Sequence, residues 1–357
     1  MGAVFSTLAG LGLTIGAALS VGMAFQWINA PAPYLLGSLC GVWGLGVILK
    51  PVRRRLGIPR WLHVPVILGL GVLVGAMFNP AILANITQWF PSVAAMLLAT
   101  VVATLLGFLY LTRIRHYENT LALLCCLPGG QAEIVVLSRE LVEKDYVVAL
   151  CHLVRVSTVF ILTPLVLTLV QGQAAVTASN ETLAALPGFL DVGGLRVLQF
   201  LAVGLFGFLA AKLIYIPMPH LLGPLLLSAV LHTVGVIEVA RISEFVMLAQ
   251  VIIGAAVGAR LAQVPIRELA GYLGDALVNA FVVISAYAVT AQLITMVTDI
   301  PVLDLVMAFI PGGLYEVTLL ALLFGFDVAF ITFHHAIRVL IIFFCLTPLV
   351  TLVNKGR

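Results

Sequence analysis

Apolar residues run along this chain in long stretches, and short polar segments hold most of the charged residues. A helix needs about 20 mainly apolar residues to cross the hydrocarbon core of a bilayer. Ten stretches have roughly this length: 3–26, 33–49, 64–85, 91–112, 146–171, 196–216, 219–237, 245–261, 272–298 and 328–353. The pattern therefore predicts an all-α polytopic membrane protein.

Two further apolar stretches, 119–140 and 302–325, are interrupted by Pro-Gly-Gly at 128–130 and 311–313. Each arm around an interruption has about 9–12 residues, or about 14–18 Å of helix, which is half of a hydrocarbon core about 30 Å thick. Two interpretations are open at this point. Each segment is either a full span that is broken in the middle or a re-entrant hairpin.

The distribution of basic residues helps to choose between these interpretations, because cytoplasmic loops are enriched in lysine and arginine. The loop after the second stretch contains Lys50, Arg53, Arg54, Arg55 and Arg60 and is assigned to the cytoplasm. With two re-entrant hairpins, 14 basic residues lie inside and two outside, whereas two full spans give 11 and five. The tally favours ten spans, two hairpins and two cytoplasmic termini.

Composition changes the range of functions that remain. Hydrophobic residues make up 62% of the 357 residues and charged residues only 9%, whereas a soluble domain carries about 25% charged residues. This excludes soluble enzymes and soluble DNA-binding regulators. A net charge of +3 is also too small for a nucleic-acid surface. The bilayer is therefore an expected partner and nucleic acid is not.

The two halves of the chain resemble each other. Pro31-Ala-Pro33-Tyr-Leu-Leu-Gly37 matches Pro217-Met-Pro219-His-Leu-Leu-Gly223. Two further motifs recur 183 residues later: Pro128-Gly-Gly-x-x-Glu133 matches Pro311-Gly-Gly-x-x-Glu316, and His152-x-x-Arg155 matches His335-x-x-Arg338. They predict two tandem membrane repeats, 1–175 and 190–357, that form one integral membrane domain. Five spans per repeat would invert the second copy, and inverted repeats with discontinuous helices are typical of secondary transporters.

Several ionisable residues lie inside apolar stretches, where each costs about 2.5–3.5 kcal/mol on insertion scales. Arg155 follows Asp145 by ten residues and Arg338 follows Asp327 by eleven. If each aspartate caps its helix, each arginine lies about 15–17 Å deep, near the midplane.

These residues suggest an anion site. A Gly-Gly break lets backbone approach a ligand, and the following helix presents free N–H groups to an anion. Arginine holds an oxyanion in two-pronged fashion, while glutamate and histidine can carry protons. The predicted substrate-binding residues are Gly129, Gly130, Glu133, His152, Arg155, Gly312, Gly313, Glu316, His335 and Arg338. We expect a secondary transporter that binds a small anionic solute at the midplane between the two hairpins, with no cofactor; assembly into a homo-oligomer is left open.

Other interpretations of the same residues stand beside this one. Glu133 and Arg155 can pair structurally within one repeat, as can Glu316 and Arg338 in the other. Glutamate and histidine could also hold a divalent metal, although no HExxH spacing occurs. Several glycines, Gly37, Gly41, Gly69, Gly71, Gly75, Gly254 and Gly258, are expected to pack helices together.

Leu-Pro-Gly-Gly at 127–130, Ile-Pro-Gly-Gly-Leu-Tyr-Glu at 310–316 and the two Asp/Arg pairs resemble the duplicated membrane family labelled AbrB, also called "putative ammonia monooxygenase". The resemblance implies a multi-pass protein of the bacterial inner membrane. A monooxygenase would need a compact metal-ligand cluster, so we do not expect an enzyme. A membrane sensor that affects gene expression indirectly, and a membrane metalloenzyme, remain the alternatives to a transporter.

Overall fold

The computed structural model describes residues 2–80, 82, 86–129, 131–239 and 241–355. Within these residues the chain is all-α and contains no strand, which confirms the predicted fold class. The helices are α1 (Gly2–Trp27), α2 (Pro33–Ile48), α3 (Arg60–Gly75), α4 (Phe90–Leu109), α5 (Asn119–Cys126), α6 (Gln131–Leu141), α7 (Asp145–Gln171), α8 (Gln173–Ala184), α9 (Phe189–Val192), α10 (Gly194–Leu213), α11 (Pro219–Thr233), α12 (Ser243–Ala262), α13 (Ile266–Ile294), α14 (Val302–Phe309), α15 (Leu314–Leu323) and α16 (Val328–Lys355). Short 3₁₀ turns cover Arg53–Arg55 and Ile86–Trp89, and a π turn, Tyr110–Ile114, extends α4.

Among the residues that the structure describes, seven helical stretches are long and apolar enough to cross a membrane: Leu8–Trp27, Ile86–Ile114, Asp145–Gln171, Gly194–Leu213, Ser243–Ala262, Leu269–Ile294 and Val328–Leu346. Length and composition of the described helices therefore support a multi-pass membrane protein.

The predicted spans 33–49, 64–85 and 219–237 form helices of only 16, 16 and 15 residues. The prediction for 64–85 was wrong about its end, because α3 stops at Gly75. Asn79-Pro80 follows, and a residue that precedes proline avoids the helical conformation. Apolar composition continued here beyond the end of the helix.

Both Pro-Gly-Gly segments interrupt a helix, as the sequence predicts. The first break separates α5 from α6, and the second separates α14 from α15. Proline lacks an N–H and cannot continue a helix. Gly129 also has φ +117°, which a residue with a side chain rarely adopts. Whether the arms form re-entrant hairpins stays a prediction.

The chain divides into two compact units, and each takes segments from both halves of the sequence. The first unit comprises Met1–Leu83, Ile161–Val264 and Thr318–Ala329. The second, which we name the broken-helix unit, comprises Ala84–Phe160, Pro265–Val317 and Phe330–Arg357. The duplication into 1–175 and 190–357 concerns the order of segments along the chain and stays a prediction. Both helix breaks lie in the broken-helix unit.

Close helix packing in the first unit depends on glycine. A Cβ atom on Gly41 of α2 would lie 2.5 Å from the carbonyl oxygen of Ala17 in α1. A Cβ atom on Gly258 of α12 would come similarly close to the carbonyl oxygen of Leu39 in α2. The other glycines named for packing also meet neighbouring helices, which confirms that interpretation.

Two alanine substitutions in α2 should therefore have opposite effects. Gly41→Ala should lower the free energy of unfolding by about 1–3 kcal/mol, since α1 backbone occupies the space that the methyl group needs. Gly44→Ala meets nothing within 4 Å and should be neutral or stabilising by about 0.5–1 kcal/mol. Thermal unfolding of the purified variants measures both, and equal losses would contradict the packing.

Candidate functional site

Two long helices of the broken-helix unit carry the predicted His-x-x-Arg pairs. In α7, His152 and Arg155 are each 2% exposed, and in α16 His335 and Arg338 are each 1% exposed. Residues three apart on a helix share a face, so each imidazole lies beside its guanidinium. Asp145 begins α7 and Asp327 directly precedes α16, which agrees with the predicted spacing. Both arginines are buried well inside their helices.

Arg155 binds backbone at the end of α5. Its Nη1 donates to the carbonyl oxygens of Cys125 and Cys126 at 3.5 and 3.3 Å, and its Nη2 donates to that of Leu127 at 2.9 Å. The last carbonyl groups of a helix have no partner within the helix. A cation there also interacts favourably with the negative end of the helix dipole. Arg155 therefore caps the helix that the first Pro-Gly-Gly segment ends.

The second half repeats this arrangement 183 residues later. Arg338 Nη1 donates to the Phe309 carbonyl at 2.7 Å, and Nη2 donates to the Ile310 carbonyl at 3.1 Å. These carbonyls end α14. Backbone carbonyl groups thus contact both guanidinium groups, while pairing of the arginines with Glu133 and Glu316 stays a prediction.

Each histidine completes the cap beside its arginine. His152 Nε2 lies 2.9 Å from the Leu124 carbonyl oxygen, and His335 Nε2 lies 3.0 Å from that of Met307. Each Nδ1 lies 3.0 or 2.9 Å from Nη2 of its own arginine. A carbonyl oxygen only accepts a hydrogen bond and a guanidinium only donates. These contacts fit neutral imidazoles with the proton on Nε2, each of which orients the arginine beside it.

Within the broken-helix unit, each break packs against the long helix whose arginine caps the other break. Gly129 of the first break packs against Val339 and Ile342 of α16, and Gly312 of the second packs against Val159 of α7. Val159 lies one turn after Arg155 on α7, and Val339 directly follows Arg338 on α16. The arrangement thus brings both predicted arginines to one buried region.

Tyr287 of α13 joins this region and was missed in the sequence. Its ring centroid lies 5.5 Å from Arg338 Cζ, its hydroxyl donates to Thr100 Oγ1 of α4 at 2.7 Å, and it also interacts electrostatically with Arg155. A tyrosine in an apolar helix usually packs as an aromatic residue, so the sequence held no signal for this position.

The remaining predicted residues have different positions. Glu316 is 1% exposed, in the first turn of α15, and its carboxylate folds back over Gly313, where an added Cβ would collide with it. Gly130 and the side chain of Glu133 lie outside the described residues. In the part of the chain that the structure describes, no three histidine, cysteine, aspartate or glutamate side chains are grouped so as to hold a metal ion.

Comparison with known proteins agrees with the resemblance seen in the motifs. Residues 40–354 match the family model described as "Transition state regulatory protein AbrB". "Uncharacterized protein YhjN" of Bacillus subtilis (strain 168) is 24% identical over 355 residues, covering 92% of each chain. "Putative regulator AbrB" of Escherichia coli (strain K12) is 25% identical over 321 residues, covering 90% of this chain and 89% of that protein. No solved structure matches the chain.

Proposed function

This chain belongs to the AbrB family, and we propose that it is a secondary transporter for a small anionic solute that binds at the paired arginines. The two breaks would place the ends of four short helix arms around the solute, an arrangement that transporters use at midplane sites. The family description and the relatives' names do not specify a transported solute, so the proposal rests on the site itself.

One observation carries the proposal. Arg155 and Arg338 are fully buried, and the Nε atom of each has no hydrogen-bond partner among the described residues. A buried polar group without a partner costs about 1–3 kcal/mol, and more when it is charged. An oxyanion between the two guanidinium groups would accept these hydrogen bonds and also balance their positive charge.

A stability screen tests the proposal. The purified protein, heated with acetate, succinate, phosphate or sulfate as sodium salts, should unfold at a higher temperature with at least one of them, because a ligand stabilises the state that it binds. The stabilising anion should then be taken up by proteoliposomes that contain the protein and not by empty vesicles. Failure of all four anions to stabilise the protein or to be taken up would contradict the proposal.

The names of the family and of the Escherichia coli relative favour a second candidate, a membrane sensor that binds the same anion and alters gene expression indirectly. Binding without uptake would support the sensor. A metalloenzyme has no such support, since the described residues group no metal ligands.

The proposed location is the bacterial inner membrane, with both termini in the cytoplasm. Single cysteines in place of Lys144 and Arg267, in a background without the five native cysteines, should be protected from an impermeant thiol reagent added outside. Cysteine in place of Arg196, which the tally assigns to the outside, should be labelled. Labelling of both inside positions would favour twelve crossings over ten.

A further inference from the structure

We infer that the carboxylate of Asp275 is the site that binds a proton together with each transported anion; this inference rests on the proposed transport function and names its coupling ion. Asp275 lies in α13, within the candidate span Leu269–Ile294, and is 6% exposed. Ionisable residues inside membrane helices commonly serve as proton relays.

Asp275 lies at the wall of a polar cavity. The cavity, about 530 Å³ in volume, is also lined by Arg115, Tyr117, Lys144 and Tyr272. Arg115 Nε lies 2.5 Å from one carboxylate oxygen of Asp275, and the Tyr117 hydroxyl donates to the other at 3.0 Å. The Arg115 side chain is 45% exposed, so solution reaches this ion pair.

Charged and titratable groups face Asp275 from several elements. Burial and the nearby carboxylate raise the pKa of Tyr117, so its hydroxyl remains a donor over the physiological range. Tyr110, in the same segment as Arg115, also interacts electrostatically with Asp275. The remaining titratable groups around the cavity are His116, Glu118, Glu143, Lys144 and Tyr272.

A buried polar face of α13 leads from the cavity towards the arginines. Asn279, one turn after Asp275, is 2% exposed and lies 3.5 Å from the sulfur of Cys126. The carbonyl group of Cys126 is one of those that Arg155 caps. Tyr287, two further turns along the same face, lies over Arg338. Asp275, Asn279 and Tyr287 thus share one face of α13, and the last two of these residues lie beside the arginine sites.

Charge balance explains why proton and anion would bind together. In the ion pair without a bound anion, the positive charge of Arg115 and the negative charge of Asp275 cancel. When a proton from the cavity binds a carboxylate oxygen of Asp275, the ion pair breaks and Arg115 keeps an uncompensated positive charge. An anion that enters the cavity first binds this guanidinium, so that the cavity is neutral again, and it passes from there to Arg155 and Arg338. Release of the anion and the proton restores the ion pair.

Calorimetry on the purified full chain tests the coupling. Binding of succinate, or of phosphate as a second probe, is measured in two buffers that differ in ionisation enthalpy, which gives the number of protons taken up per anion. The wild-type protein should take up about one proton per anion. Asp275→Asn should bind the anion with no proton uptake, while the matched variant Asp299→Asn, which removes an exposed carboxylate, should retain it.

A second variant covers the case in which Asp275→Asn does not fold. Tyr117→Phe removes the hydroxyl that stabilises the carboxylate, so proton uptake should have its midpoint at a higher pH. An unchanged midpoint, proton uptake that survives in Asp275→Asn, or anion binding by the wild type without protons would each overturn this inference and leave the proposed transporter intact. Absence of any anion binding by the wild type would overturn both.

Discussion

Arg155→Lys and Arg338→Lys should each weaken anion binding by about 10- to 100-fold, equivalent to about 1.4–2.8 kcal/mol, while most of the protein still folds. Lysine keeps the positive charge but loses the planar fork and with it the Nε donor. Arg155→Ala should be worse, because it leaves up to three carbonyl groups at the end of α5 without donors, at about 1–3 kcal/mol each. Anion binding by that variant should be undetectable.

Binding must be scaled to the amount of folded protein, so that loss of a direct contact with the anion is distinguished from unfolding caused by loss of the helix cap. Arg139→Lys is the matched control, since this side chain in α6 is 69% exposed. It should change neither binding nor stability. If the lysine variants at the two buried sites bind the anion as well as the wild type does, the arginines are helix caps alone and the proposed substrate site is wrong.

His152→Phe and His335→Phe should each lower the free energy of unfolding by about 2–4 kcal/mol, because two buried groups lose their partners. The phenyl ring is planar like imidazole, although one ring atom larger, and it cannot donate to the carbonyl group of Leu124 or Met307. It also cannot accept from the neighbouring guanidinium, which is charged and more costly to leave unsatisfied. Thermal and denaturant unfolding in detergent measure the loss.

His220→Phe provides the matched control, because its ring is exposed and stacks near Phe208. A change within about 0.5 kcal/mol is expected there. If the buried substitutions are equally mild, the imidazoles do not support the ends of α5 and α14, and the arginines are held by other contacts.

The helix breaks could be predicted because they depend on local chemistry. Proline removes a donor wherever it occurs, so Pro128 and Pro311 locate the interruptions from sequence alone. The end of α3 was predicted ten residues late, because apolar residues continue after the helix has stopped. Hydrophobicity reports the surroundings of a segment and does not locate the end of its helix.

The candidate site was predicted only in part. Arg155 and Arg338 are buried, as expected for ionisable residues inside apolar helices, while their depth near the midplane stays a prediction. Their partners could not be predicted, since a backbone carbonyl group is present at every position and the sequence does not distinguish those left unpaired at a helix end. Asp275 was overlooked because it lies close to the predicted start of a span, where a charged residue attracts no attention.

The neutral imidazoles of His152 and His335 have a consequence for energy conservation in the cell. Each ring is held between a carbonyl group, which is too weak a base to take its proton, and a guanidinium, which does not release one. We therefore expect no proton to pass through these two imidazoles. A hydrogen ion that moves with the anion must then bind elsewhere, so that the gradient is spent on transport and not lost through the four buried basic side chains.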